Sequence, residues 1–365
     1  MHITRIELTD FRSYEKFVLE PSPGLTVLVG PNAAGKTNVV EAIQLVTATR
    51  SFRRPEYSDL IRWGQRQARV DVRAEEGQRL LEIRLDIEEP SGRTYLVNGQ
   101  SRRRHSEVAG LLPSVVFTPD DLTMVKGSAE KRRAAIDDLG EQLSPTYGSL
   151  RRDYGKVIRQ RNALLRDNAP AAERAAWDEQ LISLGSRLVV HRVGLLERTM
   201  AHAVRRYAEM TDGEALGYEY ADRCGLSTCA QLTPEDVAAA LTVQMGERSR
   251  DERTRGISLV GPHRDDIVLT ISGRDARSFG SQGQQRTIAL AWKLAEVEMV
   301  EEVLRRKPVL LLDDVMSELD AARRAALSDV VASQIQTVVT TTNTGYFTPE
   351  TLDRATIVKI ERSVG

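Results

Sequence analysis

The alternation of apolar and polar residues predicts strands at the start of the chain. Ile3 to Leu8 alternates with a period of two, and Leu25 to Val29 is an apolar run that enters a glycine-rich turn. The spacing of apolar residues from Thr37 to Thr49 predicts a helix after that turn. Residues 68–100 predict an antiparallel sheet, because three short strand patterns are separated by turns that contain glycine.

The middle of the chain, from about Ser128 to Asp212, is charged, rich in alanine and helical in pattern. Two heptad-like seams, separated by a break at residues 168–170, predict an antiparallel helical hairpin. The first comprises Ile136, Leu143, Tyr147, Leu150, Tyr154, Val157 and Leu164, and the second Trp177, Leu181, Leu184, Leu188, His191 and Leu195. Ser144-Pro145 predicts a break in the first arm, because this pair suits a helix start. An ordinary helical subdomain is the alternative.

Strand and helix patterns alternate again from about Gly256 to Ile360. The sequence therefore predicts an α/β head of mixed sheets with flanking helices, formed by residues 1–125 and 255–365 and interrupted by a helical, coiled-coil-like arm at residues 126–254. The length of 365 residues is sufficient for two such domains.

The composition is that of an ordinary globular protein, with 41% hydrophobic and 28% charged residues. The net charge of −1 means that any binding of nucleic acid depends on local basic patches. The spacing of Cys224 and Cys229 suggests neither a zinc site nor a disulfide framework. We expect a cytoplasmic location and no membrane partner, since the N-terminus lacks a signal-peptide pattern and no apolar run could span a bilayer.

A phosphate-loop pattern, G-x-x-x-x-G-K-[S/T], follows the second predicted strand. Its residues are Gly30, Pro31, Asn32, Ala33, Ala34, Gly35, Lys36 and Thr37. Glycines allow successive backbone N–H groups to surround phosphates, and the following helix start adds a favourable dipole. In this pattern Lys36 reaches the β- and γ-phosphates and the Thr37 hydroxyl ligates Mg²⁺, so the motif predicts ATP and Mg²⁺ as cofactors. A chance match in a glycine-rich turn is the alternative.

The apolar run from Val309 to Leu312 ends in two acids, Asp313 and Asp314. A buried strand that ends in a carboxylate is how a Walker B site presents an Asp to Mg²⁺. Asp313 is therefore the second predicted Mg²⁺ ligand, and Asp314 is the candidate that polarises the attacking water. By itself the pattern is weak, because buried strands often end in Asp. The phosphate loop gives it weight.

The segment Ser281-Gln282-Gly283-Gln284 resembles the signature of ABC ATPases, and Ser317 to Asp320 resembles their D-loop. The resemblance implies that Ser281, Gly283 and Gln284 act on the γ-phosphate of ATP held by a second copy, with Ser281 counted among the catalytic residues. A serine hydroxyl and N–H groups at a helix start suit an anion. A simple helix cap is the alternative.

The segment Ile6 to Tyr14 resembles the opening of SMC-type heads, in which an arginine approaches the nucleotide. Arg12 occupies the matching position. The resemblance implies that Arg12 belongs to the nucleotide site, and an exposed loop arginine is the alternative.

Nearly the whole chain resembles the RecF family of bacterial recombination mediators. Beyond the nucleotide motifs, the resemblance is carried by residues 117–122, 125–128, 132–133 and 261–266. It implies an ABC/SMC-type ATPase head that forms a homodimer on ATP and clamps duplex DNA until hydrolysis releases it. It also implies a role in replication and in recombinational repair of gapped DNA, with SOS induction, and RecR and RecO as partners in loading the RecA recombinase.

Three positions depart from the wider ABC pattern. Asp314 replaces the usual glutamate, Thr342 and Asn343 lie near the usual switch histidine, and no Q-loop glutamine is evident beside Asp120-Asp121. A shorter carboxylate and a missing histidine predict slow ATP hydrolysis. The expected enzyme is a weak, DNA-stimulated ATPase of the ABC type that works as a switch.

Three basic clusters are candidates for contact with DNA. The largest is Arg151, Arg152, Lys156, Arg159, Arg161 and Arg166, and the others are Arg102-Arg103-Arg104-His105 and Arg53-Arg54. Such clusters predict salt-sensitive binding to duplex DNA without sequence preference, with gaps or junctions as candidate forms. A solvated helix face is the alternative for each cluster.

Other functions fit the residues less well. The arm is short for an SMC-like tether, and no Asp/His cluster suggests a nuclease-associated two-metal site. The helical insertion and the SMC-like opening argue against a transporter subunit. His263 lies beside Arg264 and Asp265 without a second histidine, so we expect a structural or allosteric role for it.

Overall fold

A computed structural model describes residues 1–102, 107–222, 225, 232–332 and 334–361 of the chain. The chain forms two compact units, unit 1 (Met1–Leu122 with Leu290–Gly365) and unit 2 (Thr123–Ala289). The predicted insertion at residues 126–254 falls within unit 2, and its limits as a domain remain a prediction. Cys224, Cys229, Arg103, Arg104 and His105 lie outside the described residues.

The first part of unit 1 contains most of its strands. In chain order the elements are β1 (His2–Phe11), β2 (Tyr14–Leu19), β3 (Leu25–Val29), α1 (Lys36–Thr47), α2 (Tyr57–Leu60), β4 (Gln67–Glu76), β5 (Arg79–Glu88), β6 (Gly92–Val97), β7 (Gln100–Arg102) and β8 (Ser114–Phe117). The predicted strands, the helix after the glycine-rich turn and the antiparallel segment are therefore confirmed.

Unit 2 is mainly helical, and its last helix continues into unit 1. Its elements are α3 (Ala129–Leu143), α4 (Pro145–Arg166), α5 (Ala171–Glu209), β9 (Leu216–Ala221), α6 (Pro234–Arg255), β10 (Asp266–Ile271), β11 (Arg274–Asp275), α7 (Ala276–Phe279) and α8 (Gln282–Leu304). Unit 1 then ends with β12 (Val309–Asp313), α9 (Ala321–Ala332), β13 (Thr337–Thr341), α10 (Pro349–Asp353) and β14 (Thr356–Lys359).

Two sheets enclose the core of unit 1. One is antiparallel, with the order β2-β1-β4-β5-β6-β7, and the other is parallel, with the order β14-β3-β13-β12-β8. Helix α1 lies between them, and its apolar residues share one buried cluster with residues of both sheets. Strands β12 and β13 are buried at every position, as is usual for parallel strands that are covered on both faces.

The predicted hairpin in unit 2 is confirmed, because α4 packs along α5. The predicted break is also confirmed, since the Ser144 hydroxyl accepts a hydrogen bond from Tyr147 N at the start of α4. Helix α5 also packs against α3, α6 and β9, so the hairpin is part of a larger helical subdomain.

The predicted second seam is wrong in its later positions. His191 is exposed, and Leu195 is only half-buried. The buried positions of α5 include Leu181, Gly185, Leu188, Arg192, Leu196, Thr199, Ala203 and Tyr207. These positions recur with the 3.6-residue period of a straight α-helix rather than with the period of a heptad. Helix α5 has neighbours on several sides, so a single heptad seam does not describe its buried surface.

A buried ion pair links α3 to α5 inside unit 2. Arg192 donates from Nε to Asp137 Oδ1 at 2.8 Å and from Nη2 to Oδ2 at 3.0 Å, and Tyr147 Oη donates to the same carboxylate at 2.6 Å. Arg192 is 3% exposed and also donates to the carbonyl of Pro262. Each charge is therefore compensated, which a buried ion pair requires.

His263 forms two hydrogen bonds inside unit 2, as a structural role requires. Its Nε2 lies 3.2 Å from the carbonyl oxygen of Ser258, and its Nδ1 lies 2.7 Å from Tyr154 Oη. A carbonyl can only accept, so Nε2 carries the proton and Nδ1 accepts from the tyrosine. Burial lowers the pKa of His263 to about 4, which keeps the ring neutral at pH 7.

Across the part of the chain that the structure describes, no helix is both long enough and apolar enough to cross a membrane.

We expect Asp137→Asn to lower the free energy of unfolding by about 3–5 kcal/mol, because it leaves the Arg192 guanidinium buried and uncompensated. Urea denaturation followed by circular dichroism measures this loss. The matched control is Asp153→Asn, which removes an exposed pair with Lys156 on α4 and should cost less than about 1 kcal/mol. Equal stabilities for the two variants would contradict the role assigned to the buried pair.

Candidate nucleotide site

The predicted phosphate loop and the predicted acids lie at one edge of the parallel sheet. The loop follows β3, Asp313 ends β12, and β13 pairs with both strands between them. All three strands run in the same direction, so their carboxyl ends meet at one edge, where ligands bind in α/β sheets. The topology thus brings together motifs that are far apart in the sequence.

The phosphate loop is held tightly by its own residues. Gly35 caps α1 with φ of +102°, a conformation that favours glycine. Lys36 is 6% exposed, and its Nζ donates to the carbonyls of Gly30 at 2.7 Å and Pro31 at 2.8 Å. Burial lowers the pKa of Lys36, and the charges of Asp314 and Asp313 oppose that effect. The ammonium is thus directed at the loop beside the two acids.

Asp313 is a buried carboxylate held by two hydroxyl groups. Thr340 on β13 donates to its Oδ1 at 2.8 Å, and Thr37 in the phosphate loop also bonds to it. Burial raises the pKa of Asp313, and these hydrogen bonds act in the opposite direction. The carboxylate of Asp313 and the hydroxyl of Thr37 are hard oxygen donors, so this pair fits Mg²⁺.

The backbone of Asp314 is in the left-handed conformation, which is uncommon for residues other than glycine. Its φ is +54°, and its N–H lies 3.0 Å from Thr340 Oγ1 and 3.3 Å from the Thr340 carbonyl. Burial raises the pKa of Asp314, the charge of Lys36 lowers it, and the charge of Asp313 raises it. A carboxylate with a raised pKa accepts a proton more readily, which suits a general base.

Arg12 lies in the turn between β1 and β2 and bonds to α1. Its Nε and Nη2 donate to the two carboxylate oxygens of Glu41 at 2.9 and 2.8 Å, and Nη1 donates to the carbonyl of Asp59. Glu41 is fully buried, and it also accepts from Ser51 and Arg53. Arg12 is therefore held in place beside the helix that follows the phosphate loop.

The signature segment lies in unit 2, at the start of α8. Ser281 Oγ accepts from Gln284 N at 3.2 Å, and Gln284 Oε1 accepts from Ser281 N at 2.8 Å. This reciprocal pair is a capping box, and Ser281 is exposed. The Gln284 amide also donates to Glu214 at 2.6 Å. Ser281 Oγ accepts here, so its own hydrogen remains available for an anion.

The segments at the expected positions of the D-loop, the switch histidine and the Q-loop of ABC ATPases form hydrogen bonds or ion pairs within unit 1. Ser317 Oγ donates to the carbonyl of Asp314, and Asn343 Oδ1 accepts from Gly345 N at 2.8 Å. Asp121 forms an ion pair with Lys293 at 3.1 Å inside unit 1. Asp121 thus has a structural partner.

The largest basic cluster is divided by the fold. Arg161 is buried and bonds to Asp178 and Glu252, and Arg151 pairs with Asp138. Arg161 is therefore turned away from solvent, whereas Arg151 is half-buried and remains a candidate for contact with DNA that is already paired. Four members remain exposed on α4, namely Arg152, Lys156, Arg159 and Arg166. Arg152, Lys156 and Arg159 follow the i, i+4, i+7 spacing of one helix face, and we call these three the α4 stripe.

In the two smaller basic clusters, some of the arginines bond to other parts of the protein and others are exposed. Arg53 donates to Asn38 Oδ1 at 2.9 Å and to Glu41 at 3.3 Å, so its guanidinium bonds to α1. Arg54 is exposed, and Arg102 is half-buried.

No group of three or more His, Cys, Asp or Glu side chains that could hold a metal occurs among the described residues.

The sequence interpretation missed Thr340 and Glu41. Thr340 is a polar residue in a strand that is buried at every position, which is a signal for a hydrogen-bond partner. Glu41 is a single acid among the apolar residues of α1, which similarly indicates a buried basic partner. In both cases only the fold identifies the partner.

Comparisons with a family model and with known proteins point to the same family. The family model described as the RecF/RecN/SMC N-terminal domain matches residues 2–363. The chain is 38% identical to the DNA replication and repair protein RecF of Synechococcus sp. (strain JA-3-3Ab), over 99% of this chain and 97% of that protein. It is also 38% identical to the RecF protein of Gloeobacter violaceus, with the same coverage.

Solved structures show the same fold. The structure of the recombination mediator protein RecF with ATP, in the RecFOR pathway, matches with a TM-score of 0.88 and 29% identity, over 100% of this chain and 96% of that chain. The Smc head bound to the C-terminal winged-helix domain of ScpA matches with a TM-score of 0.57 and 18% identity, over 100% and 95%. The fold is that of an ABC/SMC-type ATPase head.

We expect Thr340→Val to weaken Mg²⁺-dependent binding of ATP by about 10- to 100-fold, because Asp313 loses the hydroxyl that orients it. Calorimetric titration with ATP, with Mg²⁺ and with EDTA, measures the effect. The control is Thr337→Val on the same strand, where the lost hydroxyl donates to the carbonyl of Ile335, away from Asp313. An unchanged Mg²⁺ dependence in Thr340→Val would show that Asp313 needs no such support.

Proposed function

Because the chain belongs to the RecF/RecN/SMC N-terminal domain family, and within it to the RecF proteins, we propose that it is an ATP-driven switch on DNA. ATP and Mg²⁺ join two copies into a dimer that clamps duplex DNA, and slow hydrolysis of ATP separates them. The observation that carries this proposal is the meeting of Lys36, Thr37, Asp313 and Asp314 at one edge of the parallel sheet.

In one copy, the Gly30–Thr37 loop holds the phosphates and Lys36 turns from the loop carbonyls to the β- and γ-phosphates. Thr37 and Asp313 would hold Mg²⁺, which supplies neutralisation of phosphate charge. Asp314 accepts the proton of the attacking water, consistent with its raised pKa. Arg12, held by Glu41 in the helix that follows this loop, is the last member of the proposed site.

The second copy contributes its signature segment. Ser281 presents a hydroxyl hydrogen at an exposed start of α8, where the helix dipole favours an anion. Gly283 allows close approach of the backbone, and Gln284 fixes the segment through Glu214. The γ-phosphate of one copy is therefore bound by the serine of the other, and its hydrolysis removes the link.

Hydrolysis is slow in this proposal. The carboxylate of Asp314 is one methylene shorter than glutamate, and no histidine follows β13, where Thr342 and Asn343 lie. Slow turnover with stimulation by DNA suits a timed release. The cellular role we propose is replication and recombinational repair of gapped DNA, with RecO and RecR as partners in loading recombinase.

The DNA contact is proposed for the α4 stripe in unit 2. Three exposed basic residues on one helix face can neutralise phosphates without reading bases. Lys156 pairs with Asp153 at 3.0 Å, but both side chains are exposed, so this pair is weak and yields to a phosphate. The cytoplasmic location expected from the sequence remains a prediction.

Three substitutions test the ATP-driven dimer by analytical ultracentrifugation. Asp314→Asn should accumulate as a dimer with ATP, because hydrolysis is blocked while binding is kept. Lys36→Met should stay monomeric, because the β- and γ-phosphates lose their cation. Ser281→Arg should also stay monomeric, because its bulk blocks the partner's γ-phosphate.

The control for Ser281→Arg is Ser183→Arg, which places the same charge on an exposed position of α5 in unit 2. It should dimerise as the wild type does. Circular dichroism of Ser281→Arg without ATP checks that loss of the helix cap has not unfolded the protein. Normal dimerisation of Ser281→Arg on ATP would exclude the assigned role of the signature.

We expect reversal of charge in the α4 stripe, by Arg152→Glu, Lys156→Glu and Arg159→Glu together, to reduce affinity for duplex DNA at least about 10-fold. Each lost phosphate contact should also lower the salt dependence of log K by about 0.9. Fluorescence anisotropy with duplexes of different sequence and several salt concentrations measures both quantities.

The matched control reverses three exposed arginines elsewhere, Arg79, Arg187 and Arg205. This variant has the same net charge as the stripe variant. If both variants lose affinity equally, the effect belongs to overall charge, and the α4 stripe is not the contact surface.

A further inference from the structure

The turn between β1 and β2 bonds to α1 at two levels along the helix. Arg12 bonds to Glu41, and Ser13 Oγ accepts from Asn38 Nδ2 at 3.0 Å. Tyr14, the next residue and the first of β2, lies next to Gly35, the glycine that caps the start of α1. Residues 12–14 thus lie along the first two turns of α1, next to the end of the phosphate loop.

The hydroxyl of Tyr14 is directed at Gly35. Tyr14 is 5% exposed, and its Oη lies 2.9 Å from the position that a Cβ on Gly35 would occupy. Within the described residues, this oxygen has no hydrogen-bond partner. Burial raises the pKa of Tyr14 to about 12, so the group stays protonated at neutral pH and can donate.

A buried hydroxyl that makes no hydrogen bond is costly to the folded protein. Phenylalanine would provide the same ring packing against Phe17, whose ring centroid lies 4.7 Å away, without that cost. A hydroxyl that is costly in this state calls for an explanation, and use in another state of the protein is one. Its position beside a phosphate-binding helix start indicates which state this is.

We propose that the Tyr14 hydroxyl is a positioning group of the nucleotide site, which donates to an oxygen of the Gly30–Thr37 loop once phosphates fill that loop. This inference rests on the proposed function only in taking a nucleotide as the source of the phosphates. In the structure the Lys36 ammonium donates to the carbonyls of Gly30 and Pro31. Bound phosphates would attract the ammonium away from these two carbonyls. A second donor next to the loop then stabilises the filled state.

The test is Tyr14→Phe, with ATP and ADP binding measured by calorimetry and with thermal unfolding measured without nucleotide. Affinity for both nucleotides should fall about 3- to 10-fold, the usual contribution of one neutral hydrogen bond. The unfolding midpoint without nucleotide should be unchanged or higher, because the buried hydroxyl has been removed. A fall in affinity without a fall in the unfolding midpoint is expected only if the hydroxyl works in the filled state.

Tyr95→Phe is the matched control, because Tyr95 is also buried and its hydroxyl donates to the carbonyl of Leu45 in α1 at 2.8 Å. It should lower the unfolding midpoint and leave nucleotide affinity unchanged. If Tyr14→Phe behaves in that way, or leaves both readouts unchanged, the inference is overturned.

The failure of this inference and of the proposed function are distinguishable. ADP lacks the γ-phosphate that links two copies, so its binding tests the loop without dimerisation. Wild type that binds both nucleotides but stays monomeric on ATP contradicts the proposed switch and leaves the Tyr14 result valid. Wild type that dimerises on ATP while Tyr14→Phe binds ADP normally contradicts the Tyr14 inference alone.

Discussion

The burial of α1 between the two sheets of unit 1 is the constraint on which the nucleotide site depends. Apolar residues on several sides of this helix are removed from water by strands of both sheets. The helix start, with Gly35 and Lys36, is therefore fixed relative to the carboxyl ends of β3, β13 and β12. A phosphate loop works only if its backbone amides are placed in advance, and this packing places them.

Polar groups attach to this packed frame in pairs that join distant parts of the sequence. Thr340 orients Asp313, and Glu41 holds Arg12. In unit 2, Asp137 and Arg192 play the corresponding role between α3 and α5. Apart from Arg12, which is half-buried, each of these groups is buried and would be costly alone, so each pair specifies one arrangement of its elements. Order at the site and stability of the fold thus have the same origin.

Much of the fold follows from local pattern. The strands of the first 100 residues, the helix after the phosphate loop and the break at Ser144-Pro145 are all visible in the sequence, because each depends on neighbouring residues. The later seam of α5 was wrong, since a heptad assumes one partner and α5 has several. Periodicity reveals that a face is buried but not what covers it.

The sequence by itself was enough to predict a phosphate loop, a pair of acids at the end of β12 and a signature segment at the start of α8, because these motifs are contiguous and their chemistry needs fixed residue types. Only the tertiary structure decided which charges face inward. Arg161 is buried against Glu252 while Arg159 is exposed, although both lie in one basic run. It also decided that Tyr14 meets Gly35 and that Thr340 meets Asp313. The physical reason is that such contacts join residues distant in the chain, and long-range packing alone brings them together.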